Sequence, residues 1–446
     1  MFLLQLIIVL LAIYAGSRLG GIGLGVMGGL GLAILTFGFG LVPSDPPIDV
    51  ILMIAAVVTA TATMQAAGGM DVLVKIAERA LRRNPHRITF MAPVVTYLFT
   101  LCAGTGHVAY SVMPVIAEVA RQSGVRPERP MSVAVIASQQ AITASPISAA
   151  TVALLALLAP QGYTLPNILL ISIPATIIGC IAAALVMNRY GKALAEDEEF
   201  QRRVEAGTVP PIGEADRSGS AANDDGKLPR GAVASVFIFL VGVIAVVLFG
   251  SFPDLRPSYM DAEGVMKTLG MPIVVEIVML SVGGIILLVS RAPAERVVKS
   301  NIFSAGMQAV ISIFGIAWLG DTFFRGNMEI IDAAIKDTVT AAPWMFAVAL
   351  FFMSILLSSQ AATVRGLMPL GIALGMPAPA LIAMFPSVNG YFFLPNYPTV
   401  IAAINFDRTG TTRIGRYLLN HSFMVPGLVA TIVSVAVGFG LTKIFL

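Results

Sequence analysis

Gly104-Thr-Gly-His-Val-Ala-Tyr-Ser-Val-Met-Pro114 interrupts an otherwise apolar part of the chain with glycines, hydroxyls and a histidine. Hydrocarbon cannot hydrogen-bond an irregular backbone, so such a backbone survives inside a membrane only where protein or water surrounds it. The apolar arms on either side, residues 88–103 and 115–120, are each shorter than the roughly 20 residues of a membrane crossing. The stretch therefore predicts the tip of a re-entrant hairpin over residues 88–120, and a binding site at that tip.

Composition indicates a membrane protein. Of the 446 residues, 57% are hydrophobic and 12% are charged, and the mean hydropathy is +0.86, whereas soluble domains are roughly 25% charged. The apolar runs have the length of membrane helices, so we expect an all-α integral membrane protein. Nothing here favours a nucleic-acid partner. Cys102 and Cys180 lack metal-ligand spacing and the three histidines are scattered, so no metal site is expected.

Glycines in the second apolar segment predict close helix packing. Gly21, Gly25 and Gly29 follow the small-xxx-small spacing that lets membrane helices approach each other. Gly23-Leu-Gly25-Val-Met-Gly28 matches the letters of a dinucleotide-binding motif, but that motif requires a preceding strand and a βαβ unit. Packing is therefore the preferred interpretation.

A second interruption lies in the next apolar segment. Thr143-Ala-Ser-Pro-Ile-Ser148 falls near the middle of a crossing predicted over residues 131–158. Proline removes a backbone donor and clashes with the preceding helical turn. We therefore expect a broken membrane helix.

Four landmarks of the first half recur in the same order in the second half. The pairs are Met70-Asp71 with Met328-Glu329, Pro85 with Pro343, Met113-Pro114 with Met368-Pro369, and Pro146 with Pro398. Their offsets are 258, 258, 255 and 252 residues. A slowly drifting offset at four ordered positions indicates an internal duplication.

The duplication divides the chain into residues 1–188 and 231–446, joined by a polar cytoplasmic linker over 189–230. In the second half it predicts a hairpin over 344–374, with its tip at Ser358–Thr363. It also predicts a broken helix over 379–404, interrupted at Leu394–Thr399. Each half should carry a surface helix, over Met70–Arg83 and Glu329–Thr340 respectively.

Basic residues predict the orientation. Threading about ten crossings and two hairpins places 22 of the 28 Lys and Arg residues on one side, which is then cytoplasmic by the positive-inside rule. Both termini are expected on the periplasmic side. An inverted repeat whose broken helices meet near the midplane is the architecture of secondary transporters.

The four interruptions supply the candidate substrate contacts, and none of the four contains Asp or Glu. A membrane site for cations usually contains carboxylates, whereas half-helix N-termini and a guanidinium suit an anion. The candidates are Gly104, Thr105, Gly106, His107, Thr143, Ser145, Pro146, Ser148, Ser359, Gln360, Thr363, Arg365, Asn396 and Thr399.

Each candidate also has a structural interpretation. Serine and threonine in membrane helices often bond only to backbone, Arg365 can extend to the interface, and His107 can be a structural donor. Glu118 is expected near the cytoplasmic mouth. Glu276 and Asp321 are open candidates for carrying a proton, and capping is the alternative for these acids. The sequence suggests no cofactor beyond a coupling Na⁺ or H⁺.

Long motifs throughout the chain resemble one family, the anaerobic C4-dicarboxylate (Dcu) transporters. These motifs are Gln5-Leu-Ile-Ile-Val-Leu-Leu-Ala-Ile, Ser17-Arg-Leu-Gly-Gly-Ile-Gly, Arg83-Asn-Pro, Ala103-Gly-Thr-Gly, Ile142-Thr-Ala-Ser-Pro-Ile-Ser-Ala-Ala, Ala317-Trp-Leu-Gly-Asp-Thr-Phe, Gln360-Ala-Ala-Thr and Asp407-Arg-Thr-Gly-Thr-Thr-Arg-Ile-Gly. The resemblance covers nearly the whole chain except the linker.

The resemblance implies a bacterial inner-membrane carrier of fumarate, succinate, malate and aspartate. It implies exchange of fumarate for succinate in anaerobic respiration, with proton or sodium coupling open. The family is similar to the broader ion-transporter superfamily, which implies an elevator mechanism and a homodimer. It also assigns substrate contacts to Gly104–Gly106, Thr143–Ser148, Gln360–Thr363 and Pro395–Thr399.

Other functions remain open on the sequence. One is cation-coupled symport of another small organic anion. Another is partnership with a membrane sensor kinase through cytoplasmic segments such as Asp407–Arg416. An intramembrane enzyme is not favoured, because no metal-ligand cluster or nucleophile–base pair occurs.

Overall fold

The computed structural model of the protein describes residues 1–19, 22–46, 48–214, 231–260, 264, 266–327, 330, 342, 344–357, 359–395, 397–415 and 419–446. The predicted surface helix over Glu329–Thr340 lies outside the described residues, apart from Ile330. The centre of the predicted linker and Asn396 also lie outside them, as does the side chain of His107.

The first half contains nine helices in its described part, followed by one in the polar stretch. They are α1 (Phe2–Leu19), α2 (Gly23–Ala33, continued by a π-helical turn Ile34–Gly38), α3 (Ile48–Ala66), α4 (Gly69–Arg83), α5 (Ile88–Ala103), α6 (Met113–Gln122), α7 (Glu128–Gln140), α8 (Ala149–Leu158), α9 (Leu165–Met187) and α10 (Glu198–Glu205).

The second half follows a similar order of elements. Its described elements are α11 (Ala232–Ser251), β1 (Ser258–Met260), β2 (Met266–Thr268), α12 (Met271–Ser290), α13 (Ala294–Val298), α14 (Asn301–Gly326), α15 (Trp344–Leu357), α16 (Gln360–Ala373), α17 (Ala378–Met384), α18 (Pro398–Phe406) and α19 (Met424–Phe445). In both halves a pair of short helices precedes a helix in two pieces, and a long helix closes the half.

The described part has the helices of a multi-pass membrane protein. Six helical segments are long and apolar enough to cross a bilayer, and the number rises to seven if α3 and α4, bent by 73°, form one span. Helices α1, α2 and α15 are apolar but shorter. The prediction of a helical membrane protein is therefore confirmed.

One small element was not expected from an all-α fold. Strands β1 and β2 form an antiparallel hairpin between α11 and α12, with Tyr259 opposite Lys267. All six strand residues are exposed. Such short strands have no buried face, so the alternation of apolar and polar residues that predicts a strand is absent.

Glycines bring α2 and α14 into backbone contact. Any Cβ at Gly25 would overlap the carbonyl oxygen of Ile311, and any Cβ at Gly315 would overlap the carbonyl oxygen of Gly25. The packing role predicted for Gly25 is confirmed. The second glycine of α2 in close contact with α14 is Gly28, which lies against Gly315. Gly29, which the spacing suggested, faces open space.

The polar stretch begins with a folded segment, residues 194–214, which we call the polar cap. Leu194, Phe200 and Val209 form a small buried cluster within it. The Arg121 guanidinium on α6 donates to the carbonyl oxygens of Pro210 (2.9 Å) and Pro211 (2.6 Å). The polar cap is thus attached to the end of the first hairpin.

Buried charges attach the polar cap to the start of α7. Arg126 donates to Asp197 Oδ2 and to Glu128 Oε2, each at 2.6 Å. Desolvation raises the pKa of Asp197, but hydrogen bonds from the Phe200 N–H and from Arg126, together with the charges of Arg126 and Arg413, outweigh it and leave that pKa below 3.8. The carboxylate is therefore held in its ionised form.

The segment after α18 is folded around one buried carboxylate. Asp407 accepts hydrogen bonds from the N–H groups of Thr409 (2.9 Å) and Thr412 (2.6 Å) and from the Thr411 hydroxyl (2.8 Å). Arg203 of the polar cap donates to the next carbonyl oxygen, that of Arg408, at 2.8 Å. The cap therefore links the first hairpin, α7 and the second broken helix on one face of the molecule, which we call the polar face.

Candidate functional site

The tip of the first hairpin packs against the first broken helix. Gly104 ends α5 with a φ of +70°, and a Cβ there would lie 3.0 Å from Ile147 Cγ1. A Cβ at Gly106 would overlap the side-chain amide of Gln139. Both glycines therefore permit a close approach that larger residues would prevent.

Hydroxyls in the first break hold the break itself together. Thr143 donates to the Gln140 carbonyl (2.8 Å), and Ser145 donates across to the Leu101 carbonyl on α5 (2.7 Å). Ser148 donates to the Ile142 carbonyl (2.6 Å) and accepts from the Thr151 N–H, which caps α8. These three hydroxyls and Pro146 are buried, and their described bonds are structural.

The tip of the second hairpin is arranged similarly. Ser359 caps α16 by accepting from the Ala362 N–H, and Thr363 donates back to the Ser359 carbonyl at 2.8 Å. Gln360 is buried between these residues and extends away from its own helix. Its side chain is the part of this tip that reaches other elements.

Four buried side-chain amides meet there, and we call Gln139, Gln140, Gln360 and Asn389 the amide cluster. Gln360 Nε2 donates to Gln139 Oε1 (2.9 Å) and to Asn389 Oδ1 (3.2 Å). Asn389 Nδ2 donates to Gln140 Oε1 (3.2 Å), and Gln140 Nε2 donates to Thr431 Oγ1 on α19 (3.1 Å). The cluster joins the second hairpin tip to both broken helices, and Gly106 brings the first tip against it.

The cluster is polar but uncharged. None of the hydrogen bonds described for its four side chains involves a carboxylate. Each amide carries N–H donors as well as an acceptor oxygen. Such donors, together with the positive ends of half-helices, match the acceptors of a carboxylate.

Sequence reasoning missed Gln139, Gln140 and Asn389. The first break was predicted at Thr143–Ser148, whereas α7 already ends at Gln140. The second break was predicted at Leu394–Thr399, whereas α17 already ends at Met384 and is followed by two short 3₁₀ turns, Phe385–Val388 and Gly390–Phe392. The sequence signal that could have identified this part of the site was the pair Gln139-Gln140, two polar residues inside a predicted apolar crossing.

The remaining predicted residues surround the second break and the first tip. Thr399 is fully buried in the first turn of α18, whose N-cap has no side-chain hydrogen bond, and its hydroxyl has no partner among the described residues. Thr105 lies half-buried between the two tip glycines, and the backbone of His107 lies in the 3₁₀ turn that follows.

Arg365 lies on α16 and takes no part in the hydrogen bonds described for the amide cluster. It lines a cavity of about 470 Å³ together with Asp321 and Arg325 of α14. Two of the acidic residues considered in the sequence analysis form ion pairs. Asp321 pairs with Arg325 (3.1 Å), and Glu118 pairs with Arg121 (2.8 Å). Glu276 is half-buried on α12.

Comparison with known families covers the whole chain. The profile of the DcuA/DcuB family, described as anaerobic C4-dicarboxylate membrane transporters, matches residues 1–446. The chain belongs to this family. As a DcuA/DcuB family member it is a transporter and not an enzyme.

Curated relatives of the family are similar over their full length. DcuA of Wolinella succinogenes, a C4-dicarboxylate transporter, is 44% identical over 454 residues that cover 100% of both chains. DcuA of Escherichia coli K12 is 41% identical over 447 residues, again with 100% coverage of both chains. DcuB of E. coli O6:H1, an anaerobic C4-dicarboxylate transporter, is 41% identical over 444 residues and 98% of each chain. These matches confirm the resemblance found in the motifs.

Two solved transporters share the fold of this DcuA/DcuB family member. YdaH of Alcanivorax borkumensis aligns with a TM-score of 0.54 at 14% identity, over 95% of this chain and 97% of its own. MtrF of Neisseria gonorrhoeae, reported as illuminating a class of antimetabolite efflux pumps, aligns with a TM-score of 0.53 at 12% identity, over 93% of this chain and 84% of its own. At these identities the likeness concerns the fold alone.

Proposed function

We propose that this DcuA/DcuB family member exchanges C4-dicarboxylates across the bacterial inner membrane. Fumarate and succinate form the exchanged pair in anaerobic respiration, and malate and aspartate are further substrates. The names of the relatives support the substrate class, and the motif resemblance supports the exchange.

The observation that carries the proposal is the amide cluster. It lies where two hairpin tips and two broken helices meet, and each of those elements comes from a different part of the chain. A substrate bound there contacts all four elements at once. Binding can then be linked to their joint movement.

The chemistry of the cluster favours a dianion. The amides of Gln139 and Gln140 have N–H groups beyond those used in the described bonds. The uncapped first turn of α18 supplies backbone N–H groups beside the Thr399 hydroxyl. No acid occurs in the four predicted interruptions to repel a carboxylate. We assign the substrate carboxylates to the amides on one side and to the α18 N-terminus on the other.

Alternating access is the proposed mechanism. Side-chain bonds such as Ser145 to Leu101 and Gln360 to Gln139 tie the hairpins to the broken helices, which supports their movement as one unit. Helices α1–α3 and α11–α14 form the other unit, on which the first slides in an elevator-type motion. About ten crossings, a homodimer and periplasmic termini complete the proposal.

Exchange is tested with purified protein in proteoliposomes. Uptake of labelled succinate is measured into vesicles loaded with fumarate and into vesicles loaded with buffer alone, with protein-free vesicles as the background. Internal fumarate is expected to stimulate uptake. Equal uptake into both kinds of vesicle would reject exchange.

A further inference from the structure

A cavity with both apolar and charged lining residues lies outside the amide cluster. Its volume is about 470 Å³, and α14 forms one wall through Asp321 and Arg325. Helix α16 forms the other wall through Arg365 and Pro369, and Asp45 lies at its rim. Two guanidiniums and two carboxylates therefore line one cavity.

The cavity lies on the face opposite the polar face. The ring of Phe2 stacks on Phe323 at 5.6 Å and Gln5 accepts from Asn327 at 2.8 Å, so the N-terminus lies beside the end of α14. Leu157, at the far end of the first broken helix from the polar cap, also lines the cavity. The four amide side chains are buried, whereas the Arg325 side chain at this cavity is exposed, so the cavity is the more accessible of the two sites.

The rim of the cavity is attached firmly to α14. The Ser44 N–H donates to Thr322 Oγ1 at 3.1 Å, and the Trp318 indole N–H donates to the Ser44 carbonyl at 2.6 Å. Asp45 follows directly. These bonds fix the backbone next to Asp45 against α14, and Asp45 is one of the residues that line the cavity.

One of the two cations has a partner that a ligand can replace. Arg325 pairs with Asp321 at 3.1 Å, and its side chain is 62% exposed. Exposed pairs of this kind contribute little to stability, so exchanging one carboxylate for another costs little. An incoming carboxylate can replace this single contact and make a forked pair of hydrogen bonds to the guanidinium.

We propose that this cavity is an outer carboxylate-binding site, in which Arg325 and Arg365 hold a C4-dicarboxylate on its way to the amide cluster. Asp321 competes with the substrate for Arg325 and keeps the binding weak enough for release. The inference rests on the proposed function, because it takes the dicarboxylate to be the transported molecule.

Two substitutions separate this role from that of a structural ion pair. Arg325→Gln removes a ligand donor, so the half-saturating concentration of succinate should rise about fivefold, with the maximal rate nearly unchanged. Asp321→Asn removes the competitor, so the same concentration should fall about two- to threefold. A purely structural pair predicts that both changes act in the same direction.

The measurement uses initial rates of labelled succinate uptake in intact cells and in inverted vesicles. The shifts are expected from only one side of the membrane. Arg365→Gln should act like Arg325→Gln. Lys267→Gln, in the exposed β-hairpin between α11 and α12, changes the net charge equally without touching the cavity and should leave uptake unchanged.

The outcomes distinguish the two proposals. If the wild-type protein exchanges dicarboxylates but Arg325→Gln and Asp321→Asn shift the half-saturating concentration in the same direction, or not at all, the outer site is wrong. If the wild-type protein itself shows no exchange, the proposed function fails. Size-exclusion chromatography of each purified variant confirms that it is folded.

Discussion

Hydroxyl and amide side chains at the breaks have different roles. Thr143 and Ser145 donate to backbone carbonyls and so replace helix bonds that the breaks remove. Gln139 and Gln360 bond to each other across two elements. An amide has two donors and one acceptor oxygen, so it can join elements and still offer hydrogen bonds to a substrate.

Gln360→Leu tests the role of the amide cluster. The change leaves the oxygens of Gln139 and Asn389 without their described donor in a buried site, which costs about 1–3 kcal/mol per group. We expect the rate of fumarate–succinate exchange in proteoliposomes to fall at least about tenfold. The protein should still purify as a folded species.

The same substitution at Gln308 provides the control. Gln308 is exposed on α14 and lies apart from the amide cluster, so Gln308→Leu should change the exchange rate less than about twofold. A folded Gln360→Leu protein with the wild-type rate would exclude Gln360 from the substrate path.

Whether a residue of the amide cluster could be predicted from the sequence depended on where its helix ends. Gln360 was found because it lies within a predicted tip. Gln139 and Gln140 were missed because they precede the glycine- and proline-based signals by several residues. Beyond the end of α7, Gln140 bonds to Thr431 and Asn389. The sequence shows the glutamine pair but not these distant partners.

Among the elements, the polar cap has a defined connection to the transport helices. It contacts α6 through Arg121, α7 through Arg126, and the segment after α18 through Arg408. Three elements of the proposed moving unit are thus joined on the polar face. The cap is expected to move with them.

Asp197→Asn tests this connection and its pH dependence. Loss of the charge-assisted bond to Arg126 should lower the stability of the docked cap by about 1–3 kcal/mol. The pKa of Asp197 is lower in the folded protein than its usual value, so its contribution is complete above about pH 4, the pKa of an unfolded aspartate. The contribution is lost as the pH falls through the lower folded pKa.

The measurement is the rate of trypsin cleavage after Arg202, which is exposed on α10. The variant should be cleaved faster than the wild type by a factor that stays constant from pH 5 to 8. A parallel melting series should show the difference between the two proteins shrinking below about pH 4. Glu198→Gln removes an exposed pair with Lys192 (3.6 Å) and should change neither readout. Equal cleavage of Asp197→Asn and wild type would contradict the docking role.

At the scale of the whole molecule, the polar face and the opposite face, where the N-terminus lies beside the end of α14, are at opposite ends of the crossings. The positive-inside rule predicts that the polar face is cytoplasmic. Cysteines introduced at the two faces should therefore react with a membrane-impermeant maleimide from opposite sides. Lys192→Cys should be labelled only in inverted vesicles, and Lys267→Cys only in intact cells.

The control for this labelling experiment is a parent protein without its two native cysteines. Cys102 is half-buried and Cys180 is buried, so both are replaced by alanine to remove background labelling. The parent without cysteines should remain unlabelled and retain exchange. Labelling of Lys192→Cys in intact cells would reverse the proposed orientation.

The sequence by itself determined the membrane class, the order of most helices and the family. Hydrophobic length, proline position and internal repetition are local properties, and a bilayer makes them decisive because it forces backbone bonds to be satisfied within each segment. Tertiary structure alone decided which polar groups meet. The pairing of Gln360 with Gln139 spans 221 residues, and that of Arg365 with the α14 cavity depends on how the two halves pack. Side chains so distant along the chain are brought together only by packing, which no local pattern encodes.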